Sequence, residues 1–405
     1  MNPLFRLIPL AAAVALATGC ANKAPTSPAA VPAATIPATS SDFPEATPES
    51  AGVDARKLIQ LSQWLREGQL DVRSLLIVKD GKLVFERYSE GLTRDHNYEL
   101  YSITKGITSL LAGMMIDENK LSLDDHAADV IGRWRPATAP AFADKRDVSL
   151  RHLLSMSTGL QYDFKPTDDP IYYGAPDRLK LAAGTRQKEA PGKTFEYTDV
   201  SPILAAAMVS AAAGKPIDQL ARERLFVPMG MKNADWDRAD GTGLVSSGWG
   251  LRLRAMDMAK IGQLVLDGGR WQGRQLVSQD WVTQMTTPKV APDFGYYWWV
   301  HNIVKGEAEI GSMGFKGQFI TVLPEHHAVV VMTSMLSVKG GLREADCVNT
   351  FRQVVNDYVI PAMASAKPAA EASASDAALK QELAASLKSR GVPGVSADPT
   401  DTPRL

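Results

Sequence analysis

Cysteine is nearly absent from this chain, which contains only Cys20 and Cys347 among its 405 residues. Cys20 lies in an N-terminal segment with the features of a processing site, as described below. If that cysteine is removed or modified, Cys347 has no partner left in the mature chain. We therefore expect no intramolecular disulfide, and the fold must be stabilised by its own core.

An excess of charge of either sign is also missing. The 44 Lys and Arg residues nearly balance the 45 Asp and Glu residues, which gives a net charge of −1. There is no long basic run or stripe, so nucleic acid is not an expected partner. The hydrophobic content of 45% is enough for one large domain or two smaller ones. No internal repeat is visible.

Residues 1–19 have the composition of a signal peptide. One positive charge, at Arg6, precedes an apolar run from Leu7 to Leu16 that is too short to span a bilayer. The following "ATGC" resembles a bacterial lipobox and predicts that Cys20 becomes the lipidated N-terminus of a membrane-anchored protein facing the periplasm. The alanine at Ala17 departs from the commonest pattern, which leaves ordinary cleavage and secretion as the alternative.

Composition divides the rest of the chain into three parts. Residues 20–46 are rich in Ala, Pro, Ser and Thr and are predicted to form an extended tether. Ala21, directly after the cysteine, favours the outer membrane if the host is Gram-negative. Residues 363–405 have a similar bias and are predicted to be a low-complexity, disordered tail, within which "ALKQELAASLKS" could form a short helix. One globular unit, residues 47–362, lies between them.

Strand patterns occur at both ends of the globular unit and helical patterns lie between them. "RSLLIVKDGKLVFERY" predicts a hairpin that turns at Asp80-Gly81, and "GQFITVLPEHHAVVVMTS" predicts a second that turns at Pro324. Residues 107–285 are mostly helical in pattern, with Gly and Pro breaks. This arrangement predicts an α+β fold whose sheet is assembled from distant parts of the chain.

Two common hydrolase signatures are missing, because the chain has neither a G-x-S-x-G elbow nor an H-E-x-x-H zinc motif. Its six histidines are scattered, and none is placed for a catalytic triad. The adjacent pair His326 and His327 falls in a predicted turn, where solvent exposure is expected rather than metal binding. His152 is expected to pack or form a hydrogen bond at a helix start. We expect no metal and no cofactor.

The stretch "YELYSITKGITSLLAGMM" opens an apolar helix with Ser102 and places Lys105 three residues later. Ser102 could simply cap the helix while Lys105 points to water. Alternatively, the two side chains share one helix face and form a nucleophile with its proton acceptor. The helix N-terminus adds positive potential at the serine. The apolar neighbours Ile103, Ile107 and Leu110 are expected to desolvate the lysine and lower its pKa toward that of a useful base.

The segment "YSITKGITSLLAGMMIDENKLSLDD" resembles the first motif of the serine β-lactamase and penicillin-binding protein superfamily. It is most similar to the class C β-lactamase-like esterases and the 6-aminohexanoate-dimer hydrolases. The similarity continues in family order through "VSLRHLLSMSTGLQYD", "APGKTFEYTDVSPILAA", "LFVPMGMKNADW", "SSGWGLRLRAMDMAKIGQLVLDGGRWQG", "GYYWWV" and "GSMGFKGQFITVLPE". It covers the globular unit and neither tail. It implies an antiparallel sheet flanked by helices, with a mostly helical inserted subdomain, and a serine hydrolase that works through an acyl-enzyme.

The resemblance assigns roles to three catalytic residues. Ser102 matches the nucleophile of the S-x-x-K motif, and Lys105 matches its lysine. Tyr197, in "EYTDVS", matches the tyrosine of the Y-x-N motif, which works with the lysine as general base and later as acid. Without this context, Tyr197 would be interpreted as a core tyrosine with a satisfied hydroxyl.

The K-T-G strand motif of the family is matched by Ser312, Met313 and Gly314. The strand that follows it is expected to supply one backbone N–H, from Phe315, to an oxyanion hole. The N–H of Ser102 is expected to supply the other. For Gly314, a strand bulge is the simpler interpretation, and it is compatible with an oxyanion site.

Aromatic residues are expected near this cleft. "GYYWWV" is more typical of a core strand than of a substrate platform, but one of its aromatic residues, or Tyr162, Tyr172 or Tyr173, is expected to line the cleft.

Two departures from the family pattern bear on the substrate. Asp199 replaces the asparagine that holds the side-chain amide of a β-lactam, and Ser312 and Met313 replace the lysine and threonine that bind its carboxylate. An anionic Asp199 and a missing cation disfavour β-lactams. The sequence therefore predicts hydrolysis of a small-molecule ester or short amide. The alternatives are a catalytically silent envelope lipoprotein that binds peptidoglycan peptides or a partner, and a β-lactamase or D-amino-acid peptidase.

Overall fold

The computed structural model describes residues 42–388, apart from residues 69, 164–169, 173, 237–238, 305–306, 337–343 and 365–371. The described residues belong to one compact unit. The predicted signal peptide, Cys20 and most of the predicted tether lie outside the described residues, as do residues 389–405. The lipid anchor therefore stays a prediction.

Ten strands occur in the described residues, and six of them form the central sheet. They are β1 (Val72–Lys79), β2 (Lys82–Tyr88), β3 (Asn97–Glu99), β4 (Arg252–Arg254), β5 (Arg270–Trp271), β6 (Arg274–Gln275), β7 (Trp299–Val304), β8 (Glu307–Gly314), β9 (Gln318–Leu323) and β10 (Ala328–Ser334). The central sheet is antiparallel, with the order β2-β1-β10-β9-β8-β7. It joins the two ends of the globular unit, as the sequence predicted.

Both predicted hairpins are confirmed. Asp80 and Gly81 connect β1 to β2 with φ values of 50° and 71°, the left-handed geometry that this two-residue turn requires. A single helical turn, Pro324–His326, connects β9 to β10. His327 follows it in an exposed position, so the histidine pair lies in the turn as predicted.

Helices cover both faces of the sheet. They are α1 (Ala55–Glu67), α2 (Ile103–Asp117), α3 (Ala127–Trp134), α4 (Leu150–Leu154), α5 (Arg178–Ala183), α6 (Val200–Ala213), α7 (Ile217–Ala221), α8 (Ala255–Leu266), α9 (Gln279–Met285), α10 (Glu344–Gln353), α11 (Ile360–Ala364) and α12 (Ala372–Ser386). Helices α2 and α8 pack on one face of the sheet, whereas α1 and the C-terminal helices pack on the other. The predicted α+β class is confirmed.

The two faces of the sheet bury separate hydrophobic clusters. Along β1, Leu75 and Ile77 face the cluster shared with α1, whereas Leu76 and Val78 face the cluster shared with α2 and α8. Because side chains alternate along a strand and both faces are covered, β1 and β10 each contain a continuous apolar run. This two-sided burial fixes the register of the sheet against α2.

Helix α6 is apolar on all sides because it is packed among other helices, including α2, α3, α4 and α5. No single helix in the described part of the chain has the length and hydropathy to span a bilayer. The bent pair Val200–Ala213 and Ile217–Phe226 reaches that threshold only when the two segments are taken together.

The folded part of the chain extends past the predicted boundary at residue 362, and most of the short helix predicted from "ALKQELAASLKS" lies within an ordered segment, residues 372–386. These residues form α12, which packs on α1 and β2. Leu379 is buried, and Glu382 accepts hydrogen bonds from Arg66 at 3.1 Å and from the Ser62 hydroxyl at 3.0 Å. The alanine-rich composition hides these few anchoring residues, because their partners lie at the other end of the chain.

Candidate active site

The chain turns sharply into α2 at Tyr101. Its φ of 48° lies in the left-handed region that non-glycine residues seldom adopt. The N–H of Leu100 donates to the carbonyl of Leu251 at 2.9 Å, which holds the strand before the turn in place. Ser102 therefore stands at the start of α2. Its side chain makes no capping hydrogen bond, so the helix-cap interpretation of Ser102 is not supported.

Lys105 is fully buried and is surrounded by hydrogen-bond acceptors. Its Nζ lies 3.1 Å from Oγ of Ser102, 2.8 Å from the carbonyl oxygen of Gly248 and 2.6 Å from Oδ1 of Asp199. Three acceptors match the three N–H bonds of an ammonium group. The lysine lies where the sequence predicted it, one helical turn from the serine.

The expected direction of the Lys105 pKa is wrong. Burial alone would lower the pKa of Lys105, but the Asp199 carboxylate and the Tyr197 side chain outweigh burial and raise it above its ordinary value. The apolar neighbours on the helix desolvate the ammonium, but a carboxylate far along the chain contacts it as well.

Asp199 directly precedes α6 and has a partner on each carboxylate oxygen, a cation on one and a hydroxyl donor on the other. Lys105 contacts its Oδ1, and the Tyr172 hydroxyl donates to its Oδ2. Gly248 fits here because it has no side chain: a Cβ at this position would lie only 2.3 Å from Oδ1 of Asp199. The negative charge of Asp199 is therefore compensated by Lys105, which weakens the repulsion of an anionic substrate that the sequence predicted.

Tyr197 lies at the open side of this cluster. Its side chain is 39% exposed, so it is not the core tyrosine that the alternative interpretation required. Its ring centroid lies 5.0 Å from Nζ of Lys105, and its side chain contributes to the raised pKa of that lysine. The ring also stacks on Trp299, with centroids 6.0 Å apart and an angle of 22°, and meets Phe294 edge-on. This packing orients the hydroxyl without burying it.

The end of β8 packs directly against the turn that carries the serine. A Cβ on Gly314 would lie 2.2 Å from the carbonyl oxygen of Leu100, so only glycine allows the two backbones to approach so closely. Phe315 follows, and its ring meets that of Tyr101 edge-on at a centroid distance of 5.6 Å. The strand end therefore brings the backbone of Phe315 beside the Tyr101–Ser102 turn.

Ser312 lies near the site but is buried. Its Oγ would be 3.2 Å from a Cβ on Gly106 of α2, and Nε1 of Trp298 would be equally close to that Cβ. Met313 points to the opposite face of the sheet and packs against the cluster shared with α1. The position that carries a lysine in the family motif is thus occupied by a small side chain in a closely packed interior.

Sequence reasoning missed Gly248 and did not select among the candidate aromatic residues. Trp299 of "GYYWWV" stacks on Tyr197, and Tyr172 contacts Asp199 and stacks on Trp249 at a centroid distance of 5.3 Å. Tyr162 packs against the hydrophobic cluster of α2 and α8, and Tyr173 lies outside the described residues. The glycines that flank Trp249 were the only local signal of a constrained turn.

His152 has a structural role, as predicted. Its Nδ1 lies 3.0 Å from Oγ of Ser149 and 3.2 Å from the backbone nitrogen of the same residue, at the start of α4. Among the described residues, no group of three His, Cys, Asp or Glu side chains is arranged to hold a metal ion.

Known proteins resemble this chain over most of its length. The family model for Beta-lactamase matches residues 58–348, well over half of the chain. A relative named "Putative D-alanyl-D-alanine carboxypeptidase" from Escherichia coli (strain K12) is 24% identical, and the match covers 72% of this chain and 85% of the relative. The 6-aminohexanoate-dimer hydrolase of Paenarthrobacter ureafaciens is 23% identical, over 69% of this chain and 76% of that protein.

Among solved structures, the fold is shared with EstCE1, a hydrolase with promiscuous acyltransferase activity. That match has a TM-score of 0.59 and 19% sequence identity, and it covers 73% of this chain and 98% of the other. The similarity at this level of identity concerns the fold. The resemblance stated from the sequence motifs is confirmed.

Proposed function

The chain belongs to the Beta-lactamase family and is a serine hydrolase, and we propose that it cleaves a carboxylic ester or a short amide through an acyl-enzyme in the bacterial cell envelope. The observation that carries this proposal is the contact of 3.1 Å between Nζ of Lys105 and Oγ of Ser102. A serine hydroxyl is a weak nucleophile unless a neighbouring group can accept its proton. Lys105, fixed by Gly248 and Asp199, is held within reach of that proton.

In the proposed reaction, the Oγ of Ser102 attacks the substrate carbonyl while Lys105 and Tyr197 handle its proton. The backbone N–H groups of Ser102 and Phe315 stabilise the oxyanion, a role supported by the close approach of Gly314 to Leu100. The alcohol or amine then leaves, and water releases the acid from the serine. Every chemical group that takes part in this proposed reaction belongs to the chain, the substrate or water.

A neutral substrate fits the site better than an anionic one. The position that carries a lysine in the family motif is Ser312, which cannot form an ion pair with a carboxylate. The Asp199 carboxylate is engaged by Lys105 and Tyr172, and it has no N–H group to donate to a substrate, whereas asparagine has one. One relative is named as a hydrolase of the 6-aminohexanoate dimer, which is consistent with the short amide that we propose here.

The cell-envelope location is supported by the sequence alone. "ATGC" at residues 17–20 and the tether that follows it are the features of an exported lipoprotein. Under this proposal, the hydrolase domain works on the periplasmic side of a membrane and is held by its acylated Cys20.

A fluorophosphonate probe tests the reaction class directly. The probe should label the native protein and should not label the Ser102→Ala variant or the heat-denatured wild type. Ser109→Ala, which removes a buried hydroxyl from the same helix, should label normally. A wild type that resists labelling and cleaves no p-nitrophenyl ester of any chain length would instead support the catalytically silent alternative.

A further inference from the structure

A continuous line of polar atoms runs from the nucleophile to a carboxylate. The Oγ of Ser102 lies 3.1 Å from Nζ of Lys105, and that Nζ lies 2.6 Å from Oδ1 of Asp199. The lysine and aspartate side chains are 2% and 12% exposed, so water competes little for either. The family motif has asparagine at this position, and an asparagine side chain is not a base that could take up a proton from Lys105.

We infer that Asp199 is a positioning residue that keeps Lys105 an ammonium in the resting enzyme and takes up a proton through Lys105 when Ser102 attacks. The inference deepens the proposed function and rests on it. It assigns the resting charge of the lysine and the place where the serine proton is held during acylation.

The proposed step balances in atoms and charge. As Oγ of Ser102 forms its bond to the carbonyl carbon, its proton moves to Nζ of Lys105, and Lys105 passes a different proton to Oδ1 of Asp199. The carbonyl π electrons move to the oxyanion. The ion pair becomes an ammonium beside a neutral acid, and the negative charge resides on the substrate oxygen. When the tetrahedral intermediate collapses, Tyr197 gives its hydroxyl proton to the leaving group. The proton stored on Asp199 then returns through Lys105 to Tyr197.

The number of donors and acceptors favours an ammonium in the resting site. A neutral amine has two N–H bonds, but Ser102, Gly248 and Asp199 each offer Lys105 an acceptor oxygen. Even a lysine of ordinary pKa is uncharged in only about one molecule in 2,500 at pH 7. A mechanism that requires a neutral Lys105 would therefore use a rare form of the enzyme, whereas the relay uses the common one.

The groups that surround Asp199 include several hydrogen-bond donors. It precedes α6, where the unpaired N–H groups of the helix N-terminus stabilise negative charge. Three tyrosines among the described residues also face the pair. Tyr172 donates to Asp199 from the segment before α5, and Tyr197 contacts Lys105. Tyr297, from the segment before β7, is fully buried, which raises its pKa well above the ordinary value and keeps it neutral.

The test compares the pH dependence of kcat/KM in the wild type and in Asp199→Asn, a substitution of nearly equal shape. In the relay, the wild type is active when the carboxylate is ionised. Without the carboxylate, Lys105 must lose its own proton before it can act. We therefore expect kcat/KM at pH 7 to fall by about two orders of magnitude and the acidic limb to move by roughly two pH units or more toward alkaline pH. Asp129→Asn, which removes an exposed charge on α3, is the matched control and should leave the limb unchanged.

The direction of the shift decides between two mechanisms. If neutral Lys105 were the base in the wild type, Asp199 would hinder it by holding its proton. Asp199→Asn would then move the limb toward acidic pH and raise the activity at pH 7. That outcome would overturn the inference, as would a loss of activity with no movement of the limb, which indicates a purely structural role.

A direct readout separates this inference from the proposed function. In protein labelled with carbon-13 lysine, the ε-carbon signal of Lys105, assigned with Lys105→Met, should show an ammonium in the wild type up to about pH 10. In Asp199→Asn it should titrate at lower pH, because the carboxylate that opposes the effect of burial is gone. This result does not depend on substrate or probe. A wild type that labels and turns over but has a neutral Lys105 at pH 8 contradicts the inference only.

Tyr172→Phe provides a second variant if Asp199→Asn does not fold. It removes one hydrogen bond to the carboxylate and keeps the ion pair. The carboxylate then retains a proton more readily, so the acidic limb should move to higher pH by less than in Asp199→Asn. A limb at the wild-type position would contradict the proposed role of Asp199.

Discussion

Gly314 and Leu100 touch backbone to backbone: a Cβ on Gly314 would lie 2.2 Å from the carbonyl oxygen of Leu100. This contact joins the end of β8 to the turn that carries Ser102. It sets the spacing of the two N–H groups, from Ser102 and Phe315, that we assign to the oxyanion hole. Gly314 does not have a left-handed backbone, so this close contact is the reason that the position requires a glycine.

Gly314→Ala should therefore reduce catalysis strongly. The methyl group must push β8 away from Leu100, which moves the Phe315 N–H from the oxyanion, and the loss of one such donor typically costs about 10²- to 10³-fold in kcat. Gly311→Ala, on the same strand, is the control, because its Cβ would meet nothing closer than 3.7 Å. Steady-state kinetics of both variants measure the loss of kcat, and thermal unfolding shows whether either variant is also destabilised. Equal activities in the two variants would contradict the oxyanion assignment.

Tyr197→Phe should lose activity without losing stability. The ring keeps its stacking on Trp299, and the deleted hydroxyl is on an exposed side chain, so the melting temperature should hardly change. Losses of about two to four orders of magnitude in kcat are expected for a general acid–base group. The loss should be larger on an alkyl ester than on a p-nitrophenyl ester, whose leaving group needs little protonation. An active but less stable variant would show that Tyr197 serves packing only.

Neutral esters should be preferred over β-lactams. Without a cation at Ser312, a carboxylate-bearing substrate forgoes a charge-assisted hydrogen bond of about 1.5–3 kcal/mol. We expect kcat/KM on p-nitrophenyl acetate or butyrate to exceed that on a chromogenic cephalosporin. Ser312→Lys combined with Asp199→Asn should move the ratio toward the cephalosporin, although the buried setting of Ser312 will make the lysine difficult to accommodate. Faster turnover of the cephalosporin by the wild type would refute this preference.

Glu309 should make the fold sensitive to pH. Burial raises its pKa from 4.5 to about 7, against smaller opposing effects of Thr321 and Arg352. Between those values the folded state binds a proton that the unfolded state does not. The free energy of unfolding therefore falls as pH rises through this range, by about 3 kcal/mol at most.

Glu309→Gln should remove this part of the pH dependence, and the exposed Glu325→Gln should not. Urea unfolding of both variants and the wild type at pH 5 and pH 8 measures the difference. If the wild type and Glu309→Gln lose the same stability between the two pH values, Glu309 is ionised in the folded protein.

Cys20→Ser should separate the protein from membranes. Each buried methylene of an acyl chain contributes about 0.8 kcal/mol, so a triacylated cysteine holds a protein firmly. Fractionation of cells that express the full chain should find the wild type with membranes and the variant soluble or unprocessed. A wild type that is already soluble and begins at another residue would identify an ordinary signal peptide.

Local signals in the sequence predicted local structure well. Asp80-Gly81 gives its hairpin because both residues tolerate positive φ, and Ser102 and Lys105 meet because residues three apart share a helix face. The two-sided burial of β1 and β10 follows from their continuous apolar runs. These features depend on a few neighbouring residues, so the printed sequence is enough to anticipate them.

Long-range contacts were beyond such reasoning. The pKa of Lys105 depends on Asp199, and Gly248 accepts a hydrogen bond from the same lysine. These three residues are distant along the chain. No local sequence pattern indicates which carboxylate will contact a given ammonium in the folded protein. For the same reason, the sequence suggested a short helix within α12 but not its docking, which depends on the pairing of Glu382 with Arg66.

The docking of α12 affects how variants of this protein should be compared. A chain shortened at residue 362 would lack Leu379 and Glu382 and would leave part of α1 uncovered. Exposed apolar surface of that kind promotes association between molecules. Melting temperatures measured on such a shortened chain would combine the effect of the uncovered surface with the effect of each substitution. A faithful comparison of active-site variants therefore retains the chain at least through Ser386.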